Sequence, residues 1–200
     1  MDAAFGAHPQ TSRRKPKSEL RKGKIVMSAI AAFIQELEQE AQTTRRVLER
    51  IPEDRLTWKP HEKSMTLGQL ALHVAFVPGA IAEMTRRSPT QVPNFIQPAA
   101  TSRAEVISSF EQSMSKALEI LRGMDDAELG KMWRLVDGEK EIIALPVGAI
   151  LRSLMLNHWY HHRGQLSVYL RAVGVPLPSI YGPSADENPF SQQPASAVSV

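Results

Sequence analysis

The sequence predicts an all-α protein, a four-helix bundle with a long crossover connection and a small β-hairpin inserted before the last helix. Apolar residues recur at helical spacing in four long segments, and capping residues and prolines bound these segments. Asp137-Gly138 separates two short apolar runs, which is typical of a hairpin turn. With 200 residues, 42% of them hydrophobic, the chain is long enough for one domain with a sizeable core.

The first two helices are predicted over residues 28–50 and 66–87. In the first, apolar residues form an unbroken stripe at steps of three or four. In the second, Thr66 is the expected N-cap. Pro78 lacks a backbone N–H, so we expect a kink that frees the carbonyl of Val74.

The third helix follows a linker that contains Pro89, Pro93 and Pro98. This linker is too long for a tight hairpin and predicts a connection that travels along the bundle. The helix itself is predicted to begin at Ser102, with Glu105 completing a capping box.

The fourth helix is predicted between Pro146 and Val173, followed by the stop signals Gly174 and Pro176. Polar residues stand in its apolar stripe. The stripe consists of residues at steps of three or four, namely Leu151, Leu154, His158, His162, Gln165 and Tyr169. Two histidines four residues apart lie on one helix face and can share a transition metal when another element supplies a third ligand. The alternative is a pair of core histidines hydrogen-bonded to the backbone or to each other.

A third ligand has to come from the other histidines. His8 lies in a basic tail and His61 in a polar loop, so burial is expected for neither. His161 is adjacent to His162 and points about 100° away around the helix. His73 remains, because it borders the apolar face of the second helix. Taken alone, His73 fits a core histidine that binds no metal better than it fits a ligand.

Composition and charge limit the possible functions. The chain has no cysteine, which excludes disulfides and thiolate ligands, and this suits a cytoplasmic protein. It has no run of about 20 apolar residues, so no membrane span is predicted. Residues 1–26 hold seven Lys and Arg against two Asp and Glu, so this tail contributes +5 to a total charge of +3 and the rest of the chain carries −2. The tail is predicted to be disordered, and Met27 is an alternative start.

Three stretches resemble the DinB/YfiT-like superfamily of metalloenzymes. The first contains Trp58-Lys59-Pro60 and Ser64-Met65-Thr66-Leu67-Gly68-Gln69-Leu70-Ala71-Leu72-His73. The second is His158-Trp159-Tyr160-His161-His162-Arg163-Gly164-Gln165-Leu166. The third is Gly174-Val175-Pro176-Leu177-Pro178-Ser179-Ile180-Tyr181-Gly182-Pro183-Ser184-Ala185-Asp186-Glu187. The resemblance covers roughly residues 28–187, so residues 1–26 and 188–200 are treated as tails outside a domain over 27–187.

The resemblance implies a four-helix bundle in which three histidines bind a divalent metal. Matched by motif, these are His73, His158 and His162. It also implies a homodimer and a small-molecule substrate, and no membrane or nucleic-acid partner is expected. Three neutral imidazoles favour an anionic ligand at the open metal position and suit zinc, nickel or iron.

Two enzymatic activities follow from such a site: hydrolysis by activated water, or S-transfer from a low-molecular-weight thiol. The resemblance implies both, and without cysteine the thiol has to come from a cosubstrate. Gln165 either orients a ligand around the metal or makes a core hydrogen bond to a neighbouring helix. The carboxylates that could act as acid or base are expected on solvated faces, namely Glu83, Glu111, Asp186 and Glu187.

The remaining candidates carry simpler alternatives. Trp58, Trp159 and Tyr160 either line a pocket or pack in the core. Arg163 either attracts an anionic substrate or faces solvent. Two other functions stay open at this stage. One is a bundle that a metal stabilises without catalysis, and the other is nucleic-acid binding through the basic tail.

Overall fold

The computed structural model describes residues 28–94 and 96–191, so the predicted N-terminal tail lies outside the described residues. Four long helical stretches dominate: α1 Ala29–Leu48, α2 Leu67–Thr85, α3 Arg103–Arg122, and a stretch that ends with α6 His158–Ala172. α2 packs against α3 and α6, and α1 packs against the same two helices. The predicted all-α fold is thus confirmed as a mostly helical fold with a small sheet.

Short elements connect these helices. They are a 3-10 helix Glu53–Arg55, α4 Asp126–Leu129, and the strands β1 Thr90–Gln91, β2 Met132–Asp137 and β3 Lys140–Pro146. β2 and β3 form the predicted antiparallel hairpin, and Gly138 in its turn has a φ of 59°, which suits glycine. β1, within the long linker, pairs parallel with β2 and was not predicted.

Helices α2 and α3 begin after the N-cap residues that the sequence predicted. Thr66 and Gln69 form a capping box at the start of α2. Ser102 accepts a hydrogen bond from the backbone of Glu105, but the Glu105 carboxylate accepts from Thr101 rather than from Ser102. The predicted capping box of α3 is therefore wrong in its second half, since the side chain reaches one residue further back.

The last helical stretch contains a π-helical segment that the sequence pattern did not predict. α5 Val147–Ile150 continues into this segment, Leu151–Asn157, and then into α6. A π-turn holds an extra residue, so it rotates every following side chain relative to the preceding stripe. As a result Trp159 and Arg163 point into the core, and His158 lies half-buried at its edge.

α2 is the one helix among the described residues that is long and apolar enough to cross a membrane. Most of its length is buried inside the protein. The hairpin covers its C-terminal end, where the buried Trp133 indole donates to the carbonyl of Met84 at 3.1 Å. This burial is typical of a core helix.

Gly79 of α2 lets α3 approach closely, and we expect Gly79→Ala to destabilise the protein. A Cβ there would lie 2.8 Å from the carbonyl oxygen of Ser113, whose hydroxyl accepts the Gly79 N–H. Overpacking of this kind costs about 1–3 kcal/mol, which urea denaturation would measure. Gly164→Ala is the control, because a Cβ at Gly164 meets nothing within 4 Å and raises helix propensity. Equal stabilities of the two variants would contradict the prediction.

Candidate metal centre

The contact between α2 and α6 sets up the site. Pro78 cannot donate to the carbonyl of Val74, and the buried indole of Trp159 donates to that carbonyl instead, at 2.9 Å. The sequence predicted the freed carbonyl but not its partner. Trp159 is next to His158, and Val74 is next to His73, so this bond holds the two histidines against each other.

The structure brings His73, His158 and His162 together. Their ligand atoms all lie within 4.8 Å of one another, and all three residues are half-buried. The Nε2 atoms of His73 and His158 are 3.4 Å apart. Two nitrogens bound to one tetrahedral zinc at 2.0–2.1 Å are separated by about 3.3 Å, so this pair has the spacing that a shared metal requires.

The hydrogen bonding of His162 also suits a metal ligand. Its Nδ1 lies 2.8 Å from Oε1 of Gln165. An amide oxygen only accepts, so Nδ1 carries the proton and Nε2 keeps its lone pair free. The Nδ1 atoms of His73 and His158 are buried without a well-aligned hydrogen bond to any described residue. Three neutral rings whose ligand nitrogens lie around one point fit a divalent metal.

All three imidazoles favour their neutral, metal-binding form. Burial, and then repulsion from protonated His162 and His158, lower the pKa of His73 to about 4. Burial also lowers the pKa of His158 and the pKa of His162. At neutral pH no proton has to leave before a metal binds.

A cavity of ≈ 290 Å³ opens beside the triad formed by His73, His158 and His162. His73 and His158 form one end of it, while the rest of its wall comes from α2 and the start of the long linker. The site therefore combines a group of three histidines with space for another molecule.

The four carboxylates considered as an acid or base all form ion pairs. Glu111 pairs with Arg45 at 2.7 Å and Glu83 with Lys116 at 3.2 Å. Asp186 pairs with Arg171, and Glu187 with Arg46. They agree with the expected surface positions, and none of them lines the cavity.

Neither prediction for Arg163 is supported, because this residue neither faces solvent nor lines the cavity. Its side chain is only 2% exposed and forms an ion pair with Glu40 of α1 at 2.6 Å. It also donates to Thr44 at 3.0 Å and to Tyr181, which in turn donates to Glu40. Glu40 and Thr44 follow Leu37 at steps of three and four, so these polar residues in the buried stripe of α1 were the overlooked signal.

The aromatic candidates pack rather than line the cavity. Trp58 meets Tyr169 edge-on, with ring centroids 5.6 Å apart. Tyr160 donates to Glu36 at 3.0 Å. Trp159 is fully buried in the core.

We expect Gln165→Leu to weaken metal binding by about 10–100-fold, because Nδ1 of His162 loses its acceptor. Gln165→Glu keeps an acceptor there and should retain tight binding. Competition with a chromophoric chelator measures both affinities. Gln112→Leu on α3 is the matched control, because within the described residues the Gln112 amide bonds to Ser108 alone. An unchanged affinity in Gln165→Leu would show that the hydrogen bond does not support the ligand.

This chain is similar to known proteins in sequence and in fold. The sequence profile of the DinB family matches residues 25–193. The uncharacterized protein YrdA of Bacillus subtilis (strain 168) is 28% identical over 156 residues, which cover 78% of this chain and 89% of YrdA.

Two solved structures share the fold. A DinB-like protein from Bacillus cereus ATCC 10987 superposes with a TM-score of 0.60 at 23% identity, over 74% of this chain and 95% of that protein. The DinB-like protein YjoA of Bacillus subtilis superposes with a TM-score of 0.56 at 20% identity, over 74% and 97% of the two chains.

Proposed function

Because this chain belongs to the DinB family, we propose that it is a metal-dependent enzyme, a thiol S-transferase or a hydrolase. His73, His158 and His162 would hold one divalent metal, either zinc, nickel or iron. The single observation that carries the proposal is the convergence of three neutral imidazoles from two helices. When bound, the metal supplies a Lewis acid that lowers the pKa of a water or thiol ligand toward neutrality.

The cavity favours catalysis over a purely structural metal. Structural sites are closed by protein ligands, whereas catalytic sites keep a position for substrate. Here the protein offers three histidines, and the described residues add no carboxylate to the cluster. The cavity reaches His73 and His158, so a substrate has access to the same point.

The chain's own residues would bind, orient and shield the reactants. Gln165 fixes the tautomer of His162, and the Trp159 bond to Val74 fixes the spacing of α6 from α2. Phe76 packs edge-on against His73, with centroids 5.2 Å apart, and shields that ring from water.

Family membership supports three further expectations. The four long helical stretches would form a four-helix bundle in which the long linker crosses over. The protein would act as a homodimer, and it would work in the cytoplasm on a small molecule. Light scattering on the purified protein would test the dimer directly.

Cobalt-loaded protein tests the proposed function, because cobalt(II) reports its ligands through visible and near-ultraviolet absorption. We expect one cobalt per chain and a thiolate-to-cobalt band when 2-mercaptoethanol is added. Metal-dependent hydrolysis of p-nitrophenyl acetate would be assayed beside it. A cobalt spectrum that neither thiol nor azide changes would indicate a closed, structural site. A protein that takes up no metal would overturn the proposal.

A further inference from the structure

The cavity beside the triad is apolar except at the end formed by His73 and His158. Its apolar wall consists of Phe76, Val77, Ala80, Ile81, Met84 and Pro93. Among the described residues Thr90 is the one other polar residue of the wall, and its hydroxyl donates to the carbonyl of Arg87 at 2.6 Å. A ligand in this cavity therefore meets a wall that is almost entirely hydrocarbon.

No charged side chain of the described residues lines this wall. A carboxylate, an ammonium group or a set of sugar hydroxyls placed there would lose its water without gaining a partner. An unpaired polar group of this kind costs binding energy, whereas an apolar group gains it by leaving water. The wall selects against hydrophilic ligands.

The size of the cavity limits the ligand further. A dry protein cavity of about 150 Å³ holds one benzene molecule. At ≈ 290 Å³ this cavity has space for a hydrocarbon group roughly twice as large, on the order of ten carbon atoms. Ala80 is exposed and stands at the rim, so the cavity is open to solvent there.

Resting on the metal-dependent function above, we propose that the substrate is a mostly apolar small molecule that binds in this cavity. Its reactive head lies at His73 and His158, and its hydrocarbon group lies along Phe76, Ile81 and Met84. In a hydrolase the cavity holds the apolar acyl group. In an S-transferase it holds the electrophile, and a hydrophilic thiol reaches the centre from solvent.

Calorimetry on zinc-loaded protein tests the cavity with two metal-binding probes of different chain length. Acetohydroxamate and octanohydroxamate carry the same head group, so their difference reports the hydrocarbon alone. We expect octanohydroxamate to bind at least about 100-fold more tightly, because burying each methylene group stabilises the complex. Zinc content and affinity are the readouts, and no catalytic assay is needed.

Two variants test whether the preference for octanohydroxamate arises in the cavity. Ala80→Phe narrows the rim, and Ile81→Gln makes the wall polar, so each should reduce the preference for octanohydroxamate by about tenfold or more. Both should keep the zinc content and the affinity for acetohydroxamate. Ala32→Phe, a matched change at an exposed position of α1, should leave both affinities unchanged.

The outcomes separate this proposal from the proposed function. Zinc-loaded protein that binds both hydroxamates equally tightly would overturn the cavity assignment and leave the metal function standing. If both variants kept the preference for octanohydroxamate, the hydrocarbon would bind elsewhere. That result would also overturn the cavity assignment. A protein that binds no zinc would overturn both proposals.

Discussion

Replacing any one of His73, His158 and His162 with alanine removes stoichiometric metal binding, whereas His161→Ala leaves it intact. Each triad variant leaves two imidazoles, and no described carboxylate joins the cluster to replace the third. His161 adjoins the site in sequence, with its ring centroid 5.0 Å from that of His162, but it is exposed and outside the triad. It therefore controls for loss of a nearby histidine.

Mass spectrometry of metal content in untagged protein measures this result. The fold should survive in each variant, because the three rings are half-buried beside a cavity and not packed in the core. Circular dichroism checks that expectation. Equal metal content in His161→Ala and His158→Ala would contradict the site assignment. Loss of metal in all three variants together with unfolding would instead favour a metal that stabilises the fold.

Arg163→Met is expected to lower the free energy of unfolding by about 3–5 kcal/mol, because it leaves the buried Glu40 carboxylate without its cation. The tyrosine hydroxyl of Tyr181 remains as a donor but carries no charge. Arg171→Met is the matched control. Arg171 forms an ion pair with Asp186 at the surface, and exposed pairs contribute about 0–1 kcal/mol to the free energy of unfolding.

Urea denaturation of both variants measures the difference. The double variant Arg163→Met with Glu40→Leu should recover most of the loss, since it removes both members of the buried pair and leaves apolar groups of similar size. If Arg163→Met were no more destabilised than Arg171→Met, the pair would not hold α6 against α1. Failure of the double variant to recover would assign the loss to Thr44 and Tyr181 instead.

The predicted helices depended on local signals and are largely confirmed. Thr66 and Ser102 act as N-caps because their side chains bond to the backbone within the next three residues. Asp137-Gly138 makes a turn because glycine accepts a positive φ without strain. Pro78 frees a carbonyl because it has no N–H. Each of these effects acts over a few residues, so the sequence contains the whole cause.

The sequence was wrong or silent where the cause lies between distant segments. The π-helical segment Leu151–Asn157 rotates the face of α6, and Arg163, which the sequence assigned either to an anionic substrate or to solvent, is buried. Its partner Glu40 is more than 120 residues away along the chain. β1 likewise forms only because β2 presents an edge beside the long linker.

Local sequence signals are enough for the helical character, the hairpin and, through the spacing of His158 and His162, one helix face with two imidazoles. The sequence named His73 and Gln165 as candidates, but the contact of His73 with the pair, the hydrogen bond from His162 to Gln165 and the apolar cavity that ends at these histidines appear only in the folded chain. This difference follows from separation along the chain. Helix periodicity relates residues within a turn or two, whereas a ligand set and a cavity require helices that are brought together by the buried Trp159 and its bond to Val74.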